Sequence, residues 1–418
     1  MSQATNVIPG GAGVGGLTTR TNINNALAAI VSGHGGSSRP SYAVAGMLWW
    51  NTSSPSATVW TLNAFDGTND VSLGTLDTVG HVWSPAGGTV NYALASGFVN
   101  KLRNGSFVAW PNGTSGTIAA AATGSPAIAA SGWAVQATGA SVTFAQVQSG
   151  NNGAPQSLKV TGNTSVTDVI VGQRIESSDA APLAGKVCTF QMAVFNNTGA
   201  SITPTLRTRY ANTTDSWGAP VTDLAATNLQ ACPNSAWTIV SYSFTANANA
   251  VNGYEIEVDF GNNFSTTGKY VQISAADLRA TPGVSTGLNA SPPVPEFMST
   301  AQELVRSARY FQTSYNNGVA PGTATRAGLQ NFGNNGSTGA TNASGFTFAV
   351  HMRASPTMSY WDGAGNSGKC SRYTSGAWTD NAGAMATLQG GEAGVVVTTG
   401  ATANVTDFAH FTAYADFW

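Results

Sequence analysis

The chain has 418 residues and a formal net charge of −2, and only 9% of its residues are charged, against roughly 25% in an ordinary soluble domain. So thin a charge leaves no electrostatic footprint for nucleic acid or for an anionic membrane surface. The 49 Gly would suit a disordered chain, but 11 Trp, 11 Tyr and 17 Phe bury large areas and predict a folded, mostly β, loop-rich protein of two to four domains.

Residues 1–20 read as a glycine-rich arm. Its MSQATNVIPGG start has neither a basic nor an apolar segment, so no secretory signal is expected. GGAGVGG follows no strand and lacks a Lys-Ser/Thr ending, which separates it from a phosphate cradle. TNINNALAAIV then predicts a short helix capped by Thr21 or Asn22, with Ile23, Leu27 and Ile30 at i, i+4 and i+7 on one face. AGMLWWNT, ATVWTLNAF and DVSLGTL read as a small β-meander, with a turn at Asp66-Gly67.

Trp49 and Trp50 must point to opposite faces of their strand, because the side-chain period is two. A meander of this size cannot cover both faces with its own atoms. One face packs on its own chain; the other needs a neighbour, either another copy or a socket on a larger particle. The stretch therefore reads as an assembly module, with Ile23, Leu27, Ile30, Trp49, Trp50 and Trp60 as its assembly and anchoring residues.

From KLRNGSFVAWPNGTSG onward the pattern changes. A low-complexity TIAAAATGSPAIAASG stretch reads as a surface loop, and many alternating strands follow, from SVTFAQVQ to YVQISAADLRA. Their even spacing between Gly, Asn and Pro turns predicts an antiparallel jelly-roll sandwich over residues 101–282. Residues 283–299, with Pro292, Pro293 and Pro295, read as a linker or extended crossing segment. MSTAQELVRSARYFQTSY predicts a helix with Thr300 as N-cap, Glu303 at the third position of a capping box, and Leu304, Ala308 and Phe311 as its apolar stripe. A β-rich domain completes 300–418. In its closing HFTAYADFW, Phe411, Ala413, Ala415 and Phe417 share one face, which predicts a pinned terminal strand.

Three segments together resemble the fibre and spike proteins of tailed bacteriophages and the spikes of gene transfer agents. NNALAAIVSGHGGSSRPSYAVAGMLWWNTSS with TLNAFDGTNDVSLGTLD is similar to their virion-proximal module, residues 1–100 here. NGSFVAWPNGTSG and GQRIESSDAAPLAGKVCTFQMAV resemble their jelly roll, which is akin to carbohydrate-binding modules. ELVRSARYFQTSY with FAVHMRASPTMSYWDGAG resembles their distal, receptor-binding module. One departure stands out: where many relatives carry a charged Asp-Arg before the jelly-roll tryptophan, this chain has Ser131-Gly132-Trp133. The resemblance implies a homotrimer on a virion surface, assembled in a bacterial cytoplasm, held to other virion proteins by its N-terminal module, and meeting host-surface polysaccharide.

Sugar rings offer apolar CH faces that stack on open aromatics, and hydroxyls that want Asn, Asp, Gln or Arg nearby. Two stretches combine these features. RTRYANTTDSWGAP offers Tyr210, Asp215 and Trp217; SYWDGAGNSGKCSRYTSGAWTDN offers Tyr360, Trp361, Asp362, Arg372, Tyr373 and Trp378. For every one of these aromatics the competing role is core or inter-chain packing. The distal position makes the second stretch the better candidate.

Glycoside cleavage needs two carboxylates about 5–9 Å apart. Glu255, Glu257 and Asp259 share one strand face of GYEIEVDFG, and three like charges repel unless countered. Arg207 and Arg209 of TLRTRY share a face and are placed to counter them, giving a salt-bridged face, a glycan-contacting face or a catalytic one.

Cys188, Cys232 and Cys370 are an odd number without CxxC spacing, and read as buried thiols. His34, His81, His351 and His410 pair with nothing at ligand spacing. NGSF and the acid of SAADL, Asp277, are the one place where a structural calcium is conceivable, on a single carboxylate. Sequons such as Asn212-Thr-Thr and Asn335-Gly-Ser follow from composition. No cofactor and no membrane insertion are expected. Binding without catalysis is the leading expectation, against a capsule-cleaving tailspike and a purely structural head-decoration or tail-tip protein.

Overall fold

The computed structural model describes residues 16–85, 99–120, 127–335, 342–399 and 405–418. The arm before residue 16 and the centre of TIAAAATGSPAIAASG lie outside the described residues. The chain divides into two compact units, Met1–Gly97 and Phe98–Trp418.

In the first unit, helix α1 spans Gly16–Val31. Its backbone is already helical from Gly16, so Thr21 and Asn22 lie inside the helix and not at its N-terminus. Ile23, Leu27 and Ile30 are 42%, 54% and 60% exposed, so their stripe faces away from the unit's own core. Four strands follow: β1 (Leu48–Ser56), β2 (Val59–Phe65), β3 (Asp70–Asp77) and β4 (Val82–Pro85). They form one antiparallel sheet in sequence order, β4 being a strand beyond the expected three. The Asp66 carboxylate accepts from Thr68 N–H at 2.7 Å and Asn69 N–H at 2.6 Å, and Gly67 takes φ +105, which closes the β2–β3 turn.

The register separates the two tryptophans. Trp49 pairs with Asn63 and Trp50 with Leu62. Trp49 is buried, its Nε1–H donating to Asp70 at 3.0 Å. On the same side Arg39 stacks on Phe65 at 4.0 Å and pairs with Asp70. The segment between α1 and β1 thus covers that side. Trp50 shares the opposite face with Leu48, Trp60, Leu62, Val71, Leu76 and Trp83, and none of these seven is buried.

The second unit opens with the jelly roll. Across its first sheet the strands run Val221–Asn228, Thr205–Tyr210, Tyr254–Asp259, Asp168–Ile175, Trp133–Thr138 and Ala127–Ala130. Its other sheet is centred on Val187–Asn197, flanked by Ala236–Thr245 and Tyr270–Ala280. Alternate residues of both sheets, among them Val171, Ile256, Phe190 and Ile273, fill one core together with Trp110 and Trp133. Gly132 takes φ +77, and a Cβ there would come within 3.4 Å of the Arg103 side chain. The nearer neighbour is Gln173 Nε2 at 3.1 Å, and the positive φ itself favours glycine here. Cys188, Cys232 and Cys370 are buried free thiols, Cys188 and Cys370 each pushed up to about 12 by burial.

Residues 283–299 pack along the jelly roll as a crossing strap. Gly287–Leu288 adds a short strand beside Ala236–Thr245, Gln191 donates to the Pro293 carbonyl, and Phe297 sits against Ala154, Ala193 and Ala275. The Asp277 carboxylate is fully engaged by Arg279 and by Glu296 N–H at 2.9 Å. It is therefore committed to the strap.

The next helix spans Thr300–Ala308. Its capping box is Ser299 with Gln302, one residue earlier than Thr300 with Glu303. The shift frees Glu303 to face the jelly roll, where its carboxylate accepts from Asn104 N–H at 2.6 Å. The buried face is thus polar, built from Glu303 and Ser307, while the expected stripe of Leu304, Ala308 and Phe311 is only half-buried. Beyond it the Val405–Tyr414 strand pairs with Phe311–Thr313, Gln330–Asn335, Thr357–Trp361 and Lys369–Thr374. This sheet encloses a second apolar core with the three-stranded Asn342–Thr347, Gly394–Thr399, Ala386–Gly390 sheet, so that Phe332, Phe348, Met352, Val397 and Phe411 meet inside.

The two cores are joined by a polar seam. Arg103 pairs with Asp416 at 3.0 Å, with side chains 2% and 4% exposed, and its guanidinium lies 3.5 Å from the Tyr310 ring centre. Glu176 takes a bidentate pair from Arg309, at 2.6 and 2.8 Å, and a hydrogen bond from Tyr310 at 2.9 Å. Removing one partner of a buried pair strands the other charge, at a cost of about 3–5 kcal/mol. Asp416→Ala is accordingly expected to lose about that much in urea unfolding, and Arg103→Met with Asp416→Leu to recover most of it. A loss below about 1 kcal/mol in the single variant would show that the pair does not hold the seam.

Candidate functional site

The distal β domain carries an open aromatic shelf. Strands Lys369–Thr374 and Ala377–Ala384 form a hairpin whose turn residues, Ser375 and Gly376, take φ 51 and 85, as a two-residue turn of the primed type requires. That turn puts Tyr373 directly opposite Trp378, with ring centres 5.0 Å apart. Phe408, on the neighbouring strand, stands 5.0 Å from Trp378 on its other side. Tyr373 is 41% and Trp378 38% exposed. Among the described residues few large rings are left so open, and the Trp378 plane is inclined by 53° to Tyr373 and by 60° to Phe408, so they meet by their edges.

A charged pair borders the shelf. Arg326 grips Asp380 through two bonds of 3.0 Å, and its guanidinium lies 4.7 Å from the Trp378 ring centre. The Ser371 hydroxyl also donates to Asp380. These hydrogen bonds, Arg326 foremost, hold the Asp380 carboxyl below its ordinary range. The border thus supplies donors and acceptors of fixed direction beside an apolar platform.

Of the residues singled out in the sequence, Tyr373 and Trp378 stand on the shelf, and the rest of that stretch supports it from below. Tyr360 is buried, its hydroxyl 2.8 Å from Thr387 Oγ1. Trp361 packs edge-on against Tyr315. Asp362 is buried and accepts from the N–H groups of Ala364, Asn366 and Asn381 and from the Asn366 side chain. Burial alone would raise its carboxyl, but these donors hold it below the usual range. Arg372 points to the opposite face and pairs with buried Asp407 at 2.9 Å. Phe408, Arg326 and Asp380 were not picked out. Strict alternation along VTDFAHF does place Phe408 on the face away from Val405, Asp407 and Ala409, which is the signal that would have found it.

The other stretch is spread over a different surface. Tyr210 is half-buried against the jelly-roll core. Asp215 accepts from the backbone and hydroxyl of Ser177 at 2.8 and 2.9 Å. Trp217 leans on Phe417 and, with Trp418, brackets the Arg174 guanidinium, at 4.9 and 4.0 Å from the two ring centres.

Between them runs the acid-bearing strand. Arg207 pairs with Glu257 at 2.6 Å, and Arg209 bridges Glu255 and Glu257. Arg174, from a third strand, adds a bond to Glu255 at 2.8 Å. The arginines supply the counter-charge their register predicts, but Glu255 and Glu257 are buried, and the face is not simply solvated. Each of the two carboxylates is held by two guanidiniums, and burial, with Glu257 beside it, nonetheless raises the Glu255 carboxyl above its ordinary range. A wider cleft of about 730 Å³ lies by Gln330, Phe346 and Gln389. It is lined mainly by glycine and aliphatic residues.

No family model matches the chain, and no curated protein matches it. Among solved structures it is similar to the enzymatically active domain of tailspike protein 4 of bacteriophage CBA120, at 12% identity and TM-score 0.28, over 36% of this chain and 20% of that one. A family 4 carbohydrate-binding module is similar at 13% identity and TM-score 0.28, over 43% of this chain and 99% of that one. The C-terminal family 22 carbohydrate-binding module of a Clostridium thermocellum xylanase is similar at 12% and 0.27, over 37% and 88%. The chain thus spans about a fifth of the tailspike domain's length and nearly all of each module's.

Asp168 stands at the end of the acid-bearing face beside Asp259, and burial, then the hydrogen bond and repulsion between the two acids, push its carboxyl up to about 6. A carboxyl whose folded value lies above its unfolded one favours the fold while protonated and opposes it once pH rises past the folded value. Asp168→Asn should therefore raise the urea midpoint at pH 8, and the gain should vanish near pH 4. An equal gain at both pH values would rule out the shared proton.

Proposed function

We propose that the chain is a fibre or spike protein of a tailed phage or phage-like particle, acting as a homotrimer that attaches to glycan on a host surface. The Met1–Gly97 unit is its attachment and assembly part, and the distal β domain meets the glycan. The observation that carries the glycan reading is the Tyr373–Trp378–Phe408 platform, open to solvent and bordered by the Arg326–Asp380 pair. Such a surface takes the apolar face of a pyranose ring on the indole and its hydroxyls on the charged border. The sequence likeness to fibre and spike proteins over three successive segments supports the placement on a particle. So does an N-terminal unit whose helix stripe and one sheet face are left uncovered.

Each shelf is small, and a single contact of this size is weak. Three copies on one fibre raise the effective concentration, so affinity comes from repetition. The reading is binding without cleavage: Glu255 and Glu257 of the expected cluster are each held by two of Arg174, Arg207 and Arg209.

Losing one stacked ring costs about 1 kcal/mol or a little more, close to tenfold in affinity. Titration against a panel of bacterial surface polysaccharides should find a binder, and Trp378→Ala and Tyr373→Ala should each weaken it about tenfold. Recovered polysaccharide should keep its length on size-exclusion chromatography. Unchanged affinity in both variants would remove the shelf from the reading, and shortened chains would favour a capsule-cleaving enzyme.

A further inference from the structure

We infer that the aromatic shelf takes uncharged sugars and turns away acidic ones, and that Asp380 is the residue that sets this selection. The inference names the ligand class of the shelf and so rests on the glycan reading above; it owes nothing to the assembly part. Asp380 follows Trp378 by two positions along the Ala377–Ala384 strand and so stands on the same face as the indole. Arg326 reaches that face from outside the hairpin. It commits both terminal nitrogens to the two carboxylate oxygens of Asp380, Nη1 to Oδ1 and Nη2 to Oδ2, each at 3.0 Å.

The pair is fixed from beneath. The Ser371 hydroxyl is buried, donates to Asp380 Oδ1 and accepts from Gly363 N–H at 2.7 Å. A Cβ at Gly363 would run into Arg326 Nη1 and crowd the Ser371 hydroxyl at 3.1 Å. A bare backbone there leaves the space that the guanidinium fills. The same guanidinium lies 4.7 Å from the Trp378 ring centre, so pair and indole form one surface.

Closing the pair changes what the border offers. An open guanidinium beside an indole would draw a sugar carboxylate into a two-pronged grip. Here the end-on fork is filled and its charge matched, and a carboxylate approaching Arg326 would stand beside Asp380, at a like-charge cost. Asp380 stays ionised, its carboxyl held below the ordinary range by Arg326 first and by Ser371. Asp362 adds a second acid under the hairpin. It is buried, its field reaches Arg326, and its own partners are uncharged: the N–H groups of Ala364, Asn366 and Asn381 and the Asn366 amide. In this bonded network two acids thus face one base, while Arg372 and Asp407 neutralise each other on the opposite face. Sugar hydroxyls meet no such penalty. They can donate to Asp380, whose side chain is 27% exposed, and a guanidinium has five N–H donors, of which Asp380 takes two.

The test uses the full-length chain and the polysaccharide panel above. A neutral member that binds is offered again after its primary hydroxyls are oxidised to carboxylates, which adds charge and leaves the rings in place. Wild type should bind the oxidised polymer at least about tenfold more weakly than its parent. Asp380→Asn keeps an oxygen for the Ser371 hydroxyl but leaves the charge of Arg326 unmatched. It should narrow the ratio to about threefold or less, and the regained affinity should fade at high salt. Arg326→Gln should keep the ratio at or above the wild-type value, and it carries the comparison if Asp380→Asn loses its β circular dichroism. Four outcomes would overturn the inference and leave the glycan reading intact: only acidic members bind, wild type binds both forms equally, a folded Asp380→Asn keeps the wild-type ratio, or Arg326→Gln abolishes it. No binding to any polymer would overturn both.

Discussion

Arg103 is the fixed point of the second unit. It enters the seam from the first turn of the jelly roll, pairs with Asp416 from the far end of the chain, and sits over the ring of Tyr310 from the segment after the helix. A guanidinium in so dry a place is tolerated only if paired and hydrogen-bonded. Its geometry is also planar, which an apolar contact's is not. The Glu176–Arg309 fork and the Asn104–Glu303 bond repeat the device on either side. A seam of Leu and Val would hold two β domains together while letting them slide. Directional bonds from several strands allow one orientation only. The aromatic shelf is therefore carried on a body whose pose relative to the jelly roll is set by hydrogen-bond geometry.

That arrangement bears on how weak contacts become useful. On the reading proposed above, a shelf of two open rings gains little from one sugar, and repetition would multiply it only if the copies presented their shelves at reproducible positions. Side chains beneath the shelf serve that end. Asp362 accepts four hydrogen bonds and fixes the loop after Trp361, while Arg372 and Asp407 neutralise each other inside the sheet. His410, stacked on Tyr315 at 3.9 Å and bonded to Ser314 and Thr325, is pushed down by burial and belongs to the same scaffold.

Much of this was legible in the sequence, because much of it follows from period two. Alternation found the jelly-roll strands, the common face of Glu255 and Glu257, and the arginines able to counter them, while the Asp-Gly pair itself marked the turn at Asp66-Gly67. Illegible was whatever depends on which surface a face meets. For Glu255 and Glu257 the sequence left a salt-bridged, a glycan-contacting and a catalytic face open; both are buried, and Arg174, which bonds Glu255, is itself covered by Trp217 and by Trp418, the latter more than 150 positions away. The Thr300–Ala308 helix failed for a related reason. Its Leu and Ala spacing promised an apolar face, yet the surface it meets offers the backbone N–H of Asn104 and the carbonyls of Lys101 and Leu102, to which Arg306 donates. Polar partners select the polar face. Local pattern fixes which residues go together, but the partner decides which side goes in.

The adjacent tryptophans make the same point at the other end of the chain, with the partner still missing. Trp49 satisfies itself: its ring is covered by residues of its own unit, and its one polar atom reaches Asp70. Trp50 meets Trp83 edge to face, lies beside Gly33 and stays half-buried. A single chain could relieve that exposure by replacing Trp50 with a polar residue, since one position of a strand can change without disturbing the opposite face. Yet the same face also holds Trp60, Leu62, Leu76 and Trp83, in rows that the register aligns. Scattered apolar residues on a surface need no explanation. Five that line up across four strands do, and they make the face opposite Trp49 an apolar surface that the unit's own chain leaves half-covered.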